Sequence, residues 1–343
     1  MAGKDQTSSD QATGTVEERP KTSDSVHNRA VSTSNSRARS RAGFDTLTTS
    51  DGTVLAIVEA GPTDSAATIV LQHGWTQDHT SWEDVAERLA TTYRVISFDS
   101  RGHGRSDAGP RGTATVEQLA DDLAEVIGEL APDGPIVLAG HSLGGPVLLA
   151  LAERHPEIVF ERPTGIAMVA TSASDIGRDI LGLPLAVTAL VSAAVPAVTR
   201  LRQLSRAPRN TRYPRVIEEF VRLGLYGPGQ GTRVNRSRTA RQVARSHPET
   251  TAALVPALMH HDRLAMMPLL ENVPTVILGG TKDALTPIAH SRAMADALPQ
   301  AKFVVYSEAG HMLPYERADE VTAELAALAN RVVAASSAHH SAT

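Results

Sequence analysis

The chain has 343 residues, a formal net charge of −5 and no cysteine. That length accommodates one large α/β domain with an insertion, or two small domains. The modest charge leaves no global nucleic-acid footprint, and the missing thiols exclude disulfides, thiol catalysis and thiolate metal sites.

Residues 1–43 are rich in Ser, Thr, Asp, Gln and Arg, with no apolar run of signal-peptide type. Such a segment cannot bury enough apolar surface to offset its ordering entropy, so it is predicted to be a disordered tail. A cytoplasmic location follows as an expectation. Phe44 to Ala60 reads as a hairpin, with two semi-apolar runs flanking the turn signal Ser50-Asp51-Gly52. Thr68 to Trp75 is predicted as a buried strand ending in a glycine turn. Ser81 is placed as the cap of a helix over Trp82 to Leu89, with Asp84 three residues on. Tyr93 to Asp99 is the next strand and runs into the glycine-rich Ser100-Arg101-Gly102-His103-Gly104-Arg105-Ser106. Thr115 caps a helix over Val116 to Leu130, whose apolar residues Leu119, Leu123, Val126, Ile127 and Leu130 recur at helical period.

Pro135 to Gly145 then gives a short apolar strand, an abrupt turn and an immediate helix. The turn reads Gly140-His141-Ser142-Leu143-Gly144, a Gly-x-Ser-x-Gly pattern. A serine on such a turn sits in a strained conformation with its hydroxyl raised above the sheet, beside the positive end of the new helix. Gly165 to Ala170 is a further buried strand, after which the alternation of strand and helix stops until Pro274 to Gly280. A helix from Ser291 to Leu298, a strand from Lys302 to Tyr306 and a long helix from Glu316 to about Ala334 follow. Residues 336–343 are predicted to be a loose tail. Apolar strands separated by amphipathic helices mean a mostly parallel sheet covered on both faces, with ligands bound beyond the carboxyl ends of its strands. His73, Asp99, Ser142 and the loop after Gly280 all fall at such ends.

Residues 172–273 interrupt the pattern and are predicted to form a helical cap between two core segments, 44–171 and 274–335. Ile180 to Val198 is almost wholly apolar but is broken by Pro184 and Pro196, which favours short cap helices lining an apolar pocket over a membrane span. From Arg200 to Arg245 the charges are nearly all arginine, opposed only by Glu218 and Glu219. The bland explanation is a solvated basic face; the functional one is weak contact with an anionic lipid surface or an anionic substrate. No aromatic interleaving suggests nucleic acid.

The elbow segment, the Gly279-to-Pro287 loop containing Asp283 and the Ala309-Gly310-His311-Met312-Leu313-Pro314 loop together resemble the α/β-hydrolase superfamily, over roughly Phe44 to Ala334. The resemblance implies an α/β-hydrolase fold with an inserted helical cap. It also implies a catalytic triad in the order serine, acid, histidine: Ser142 as nucleophile, Asp283 as the acid and His311 as the base. Asp175, just beyond the Met168 strand, is a rival acid. The backbone N–H of Leu143 is the implied first oxyanion donor. His73-Gly74-Trp75 resembles the family's His-Gly-x motif, so the N–H of Trp75 is the second, and the Trp75 ring would border the acyl site. His73 and the Asp99 loop are expected to brace the structure. One departure is Arg317-Ala318, where the family often carries a proline after the residue matching Glu316.

These readings imply a hydrolase without cofactor or metal, cleaving the ester of a small hydrophobic substrate through an acyl-enzyme. A serine at the elbow argues against epoxide hydrolase and haloalkane dehalogenase, which resemble the chain elsewhere but use a carboxylate nucleophile. The same triad also serves cofactor-free haloperoxidase or perhydrolase chemistry, carbon–carbon bond hydrolysis and acyl transfer, and a non-catalytic ligand-binding member of the fold is a further alternative.

Overall fold

A computed structural model of the chain describes residues 37–39, 45–174 and 221–342. Asp175, the apolar run Ile180 to Val198 and the arginines between 200 and 220 lie outside the described residues.

A nine-stranded sheet organises the molecule. In chain order its strands are β1 (Arg37–Arg39), β2 (Asp45–Thr48), β3 (Val54–Ala60), β4 (Thr68–Gln72), β5 (Arg94–Phe98), β6 (Ile136–His141), β7 (Thr164–Val169), β8 (Thr275–Gly280) and β9 (Lys302–Tyr306). Their order across the sheet is 1-2-3-5-4-6-7-8-9. β1, β2 and β3 pair antiparallel, and β3 meets β5 antiparallel. All pairs from β5 through β4, β6, β7 and β8 to β9 are parallel. The carboxyl ends of six strands therefore share one edge. β6 lies between β4 and β7, with Gln72 opposite Gly140 and His141 opposite Val169.

The apolar runs become buried strands because both faces of the sheet are covered. Ile136 and Leu138 join a core cluster with Leu119, Leu123 and Val126 of helix α2 (Val116–Leu130). The intervening Val137 and Ala139 point the other way, into a cluster with Val85 and Leu89 of helix α1 (Glu83–Leu89). Each of the valines, leucines and isoleucines contributes about 1.5–3 kcal/mol when fully buried. The remaining helices are α3 (Gly144–Arg154), α4 (Pro156–Phe160), α5 (Arg233–Arg245), α6 (Pro248–His260), α7 (Ile288–Ala297), α8 (Leu313–Glu316) and α9 (Ala318–Ala342). α5, α6 and a 3-10 turn over Leu264–Leu270 belong to the inserted segment. Among the described residues, no helix is long and apolar enough to cross a membrane.

Three local expectations need correction. The predicted tail 1–43 contains a strand: Arg37–Arg39 pairs with Asp45 to Leu47, because ladder bonds use backbone groups and need none of the apolar side chains the segment lacks. The predicted loose end 336–343 is helical to Ala342, since Ala334, Ala335 and Ala338 are strong helix formers and the Ser337 hydroxyl donates to the Val333 carbonyl at 3.0 Å. Ser81 does not cap α1. Asp78 instead caps a 3-10 turn over His79–Trp82, accepting from the Thr80 N–H, and Ser81 is buried inside that turn. Thr115 caps α2 as expected, accepting from the Gln118 N–H at 3.1 Å.

Candidate active site

Ser142 stands between β6 and α3 with φ of +54°, a left-handed conformation that costs a residue with a Cβ about 1–3 kcal/mol. The surroundings enforce it. The Ser142 N–H donates to Val169 O at 3.1 Å, and its carbonyl accepts from Gly145 N–H at 3.0 Å and from the Thr171 hydroxyl at 2.5 Å. Strand and helix also approach closely: a Cβ on Gly140 would lie 2.5 Å from Gly144 backbone atoms, and one on Gly144 would lie 2.7 Å from Gln72 O. Leu143 immediately precedes the first residue of α3, so its N–H belongs to the helix-start amides that have no intrahelical acceptor.

The loop after β4 lies against the elbow, since a Cβ on Gly74 would sit 3.0 Å from Ser142 Cβ. Gly74 to Gln77 forms a turn closed by Gln77 N–H to Gly74 O at 3.1 Å. Thr76 at its third position has φ of +62°, a place usually given to glycine. The half-buried Trp75 anchors this turn outward, its indole N–H donating to Thr251 O of α6 at 3.0 Å. His73 braces it from beneath. Its Nδ1–H donates to Gly74 O at 2.8 Å and its Nε2 accepts from Ser100 N–H at 2.9 Å. Burial lowers the pKa of His73, which favours the neutral ring, and these two bonds fix its tautomer.

Asp283 and His311 come from the loops after β8 and β9 and meet. His311 Nδ1–H donates to Asp283 Oδ2 at 2.8 Å, and both side chains are buried. The aspartate is preorganised: Oδ1 accepts from the N–H groups of Leu285 and Thr286, each at 2.8 Å, and Oδ2 from the Thr286 hydroxyl at 2.8 Å. The two loops are laced together by Lys282 N–H to Ala309 O at 2.8 Å and Thr281 N–H to Tyr306 O at 3.0 Å.

The histidine loop is tied to the elbow through a residue the sequence did not single out. His141, beside Ser142, donates Nε2–H to the His311 carbonyl at 2.8 Å, and the two rings lie 5.0 Å apart. Burial pushes the His141 pKa down to about 3, so it braces as a neutral ring and carries no titratable proton near neutrality. Thr286 also escaped notice, although an aspartate with a threonine three residues on is a known capping spacing.

Asp99 plays a bracing part, accepting from His79 Nδ1–H at 2.7 Å and from the N–H of Arg105 at 2.8 Å. Asp78, His79 and Asp99 are close enough to share a cation, but Asp78 is already engaged by Thr80 and Gln242. A separate cavity of about 430 Å³ opens near Glu153, at the opposite end of α3 from Ser142. Its Arg263 is paired with Glu117 and Glu153, so it is a poor home for an apolar chain.

Residues 67–318 match the family model for the alpha/beta hydrolase fold. An uncharacterized protein of Mycobacterium tuberculosis is 26% identical over 258 residues, covering 72% of this chain and 70% of that protein. A pimeloyl-[acyl-carrier protein] methyl ester esterase of Chromobacterium violaceum is 28% identical over 243 residues, covering 71% of this chain and 86% of the relative. Among solved structures, a thermophilic esterase from Thermogutta terrifontis superposes with a TM-score of 0.65 at 27% identity, covering 87% of this chain and 98% of that one. The chain belongs to the α/β-hydrolase family, as an esterase-like member.

Proposed function

We propose that the chain is a cofactor-independent serine esterase that cleaves a carboxylic ester with a hydrophobic acyl part through an acyl-enzyme. The reading is carried by one arrangement: a serine at φ +54° on the strand-to-helix turn, and a buried His–Asp pair bonded at 2.8 Å beyond the same edge of the sheet. A serine hydroxyl is a poor nucleophile at neutral pH and needs such a base. In the proposed reaction Ser142 Oγ attacks the ester carbonyl while His311 Nε2 takes its proton. Asp283 holds the ring with Nε2 free and stabilises the imidazolium. The N–H groups of Leu143 and Trp75 receive the developing oxyanion. Collapse expels the alcohol, which takes the proton from His311. Water, deprotonated by the same ring, then releases the acid and restores Ser142. The hydrophobic preference rests on the apolar run Ile180 to Val198 and on Trp75 beside the elbow. Ser142→Ala should lower kcat on a short-chain chromogenic ester by about 10⁶-fold; an unchanged rate in pure protein removes Ser142 from the mechanism. Assays with peroxide and halide, or with an alcohol acceptor, separate hydrolysis from perhydrolysis and acyl transfer.

A second, weaker role concerns α5. Its thirteen residues carry Arg233, Arg236, Arg238, Arg241 and Arg245 and no acid. Arg233, Arg241 and Arg245 are exposed, as is the apolar Val234. This face suits an anionic lipid surface. Flotation with phosphatidylserine vesicles should carry the protein upward and fail with neutral vesicles; equal behaviour with both removes this role.

A further inference from the structure

Glu316, the last residue of α8, lies five positions beyond His311. Its carboxylate touches none of the residues assigned to the reaction, yet it accepts three backbone N–H groups. Oε2 receives Gly310 at 2.8 Å and Gly227 at 3.0 Å, and Oε1 receives Met312 at 3.0 Å. Gly310 and Met312 are the two neighbours of His311, whereas Gly227 belongs to the inserted cap. The same stretch of cap reaches the base directly: Leu225 O accepts the His311 N–H at 2.8 Å and the Met312 N–H at 3.3 Å.

There is no slack in this joint. A Cβ on Gly227 would lie 2.1 Å from Glu308 O, and one on Gly310 would lie 2.4 Å from Gly227 N. The adjacent Arg317 makes no bond to the Glu316 carboxylate: its guanidinium donates to the Glu316 backbone carbonyl at 2.8 Å, to Gln230 Oε1 at 2.8 Å and to Ser307 O at 2.9 Å. Three inward-pointing amides therefore form most of the carboxylate's close environment, a nest of the kind that binds anions. Burial raises the Glu316 pKa against the pull of those amides and of the Arg317 charge.

We propose that Glu316 is a positioning residue: its carboxylate clamps the histidine loop to cap residues 225–227 and so sets where the His311 imidazole stands relative to Ser142. The proposal rests on the serine-hydrolase reading of His311. Its reach is large because a base displaced by about 1 Å costs on the order of 10²-fold in rate.

Glu316→Gln is the informative substitution. Glutamine matches glutamate in shape, but its NH2 must face an N–H donor, so at least one arm of the clamp is lost. We expect kcat on a short-chain ester to fall by about 10–100-fold, with KM changed by less than about threefold and the folded state retained. Labelling of Ser142 by a fluorophosphonate should slow by the same factor as kcat. A wild-type kcat and labelling rate, with only a lowered Tm, would overturn the proposal, and so would an effect confined to KM. Glu316→Asp keeps the charge, shortens the reach by one methylene and should show the same pattern if the glutamine variant does not fold. Failure of both to fold would make Glu316 a residue of the fold and also overturns the proposal. Ser142→Ala is measured alongside: retained turnover there refutes the serine mechanism itself, whatever Glu316 does.

Discussion

Asp99 and His79 show how a buried pair at a strand end shapes stability as well as loop geometry. Burial opposes charge on His79, but the Asp99 carboxylate outweighs it, so the histidine pKa is raised. Burial likewise opposes the ionised Asp99, yet His79 and its N–H hold that pKa below the ordinary carboxylate value. A histidine with a raised folded pKa stabilises fully below its unfolded value of about 6.5, and the contribution is lost as pH rises through the folded value. The lowered Asp99 contributes above its unfolded value of about 3.9 and loses that only as pH falls further. His79→Gln should therefore lower Tm most between about pH 4 and 6.5, by a margin that shrinks at pH 9. Thermal melts across that range test the pair, and a pH-independent margin would show that no charge is involved. The pairing itself is not legible in the sequence. The strand-end motif marks the Asp99 loop as structural, but His79, twenty positions earlier, offers no pattern that pairs it with Asp99. The same holds for His141, whose contact with the His311 carbonyl spans 170 positions.

At the scale of elements, the strands and the elbow were readable because their signals are local: apolar runs, a period of 3.6 in α2, and Gly140 and Gly144 where strand and helix nearly touch. Caps were readable when the side chain met an N–H three residues on, as Thr115 does. Ser81 misled because the turn at His79–Trp82 begins earlier than the helical pattern, and Asp78 takes the capping position. The loop after β4 was recognised by its His-Gly-x pattern, but its tether was not, since the acceptor is the backbone carbonyl of Thr251. That tether joins the proposed oxyanion donor to α6. Trp75→Phe keeps an aromatic ring and removes the indole N–H. We expect kcat to drop about tenfold with KM within about threefold, because the donor is held less well at the developing oxyanion. Steady-state kinetics decide it: an effect on KM alone would make Trp75 a pocket wall only.

For the whole molecule, the sheet explains why residues far apart in the chain converge. Six parallel strand ends share one edge, and Trp75, Ser142, Asp283 and His311 each follow one of them. That convergence was legible, because βα alternation dictates parallel strands and parallel strands dictate a common edge. The inserted segment between 221 and 273 is legible as a helical interruption of the core, but its bonds to the loops at the sheet edge are not. Its role at the edge depends on backbone groups of Leu225, Gly227 and Thr251, which no side-chain pattern announces, although the close approach at Gly227 leaves no room for a Cβ. The described part of the insertion is bonded to the loop after β4 and to the histidine loop, which makes it part of the frame around the proposed reaction centre. The proposed chemistry stands or falls with Ser142 as the nucleophile. Intact-mass and peptide mapping after treatment with a fluorophosphonate tests it most directly. A single adduct is expected, on Ser142, with ester turnover lost in step with labelling. Full turnover in protein that carries no adduct on Ser142 after exhaustive treatment, or an inactivating adduct at another residue, would contradict it.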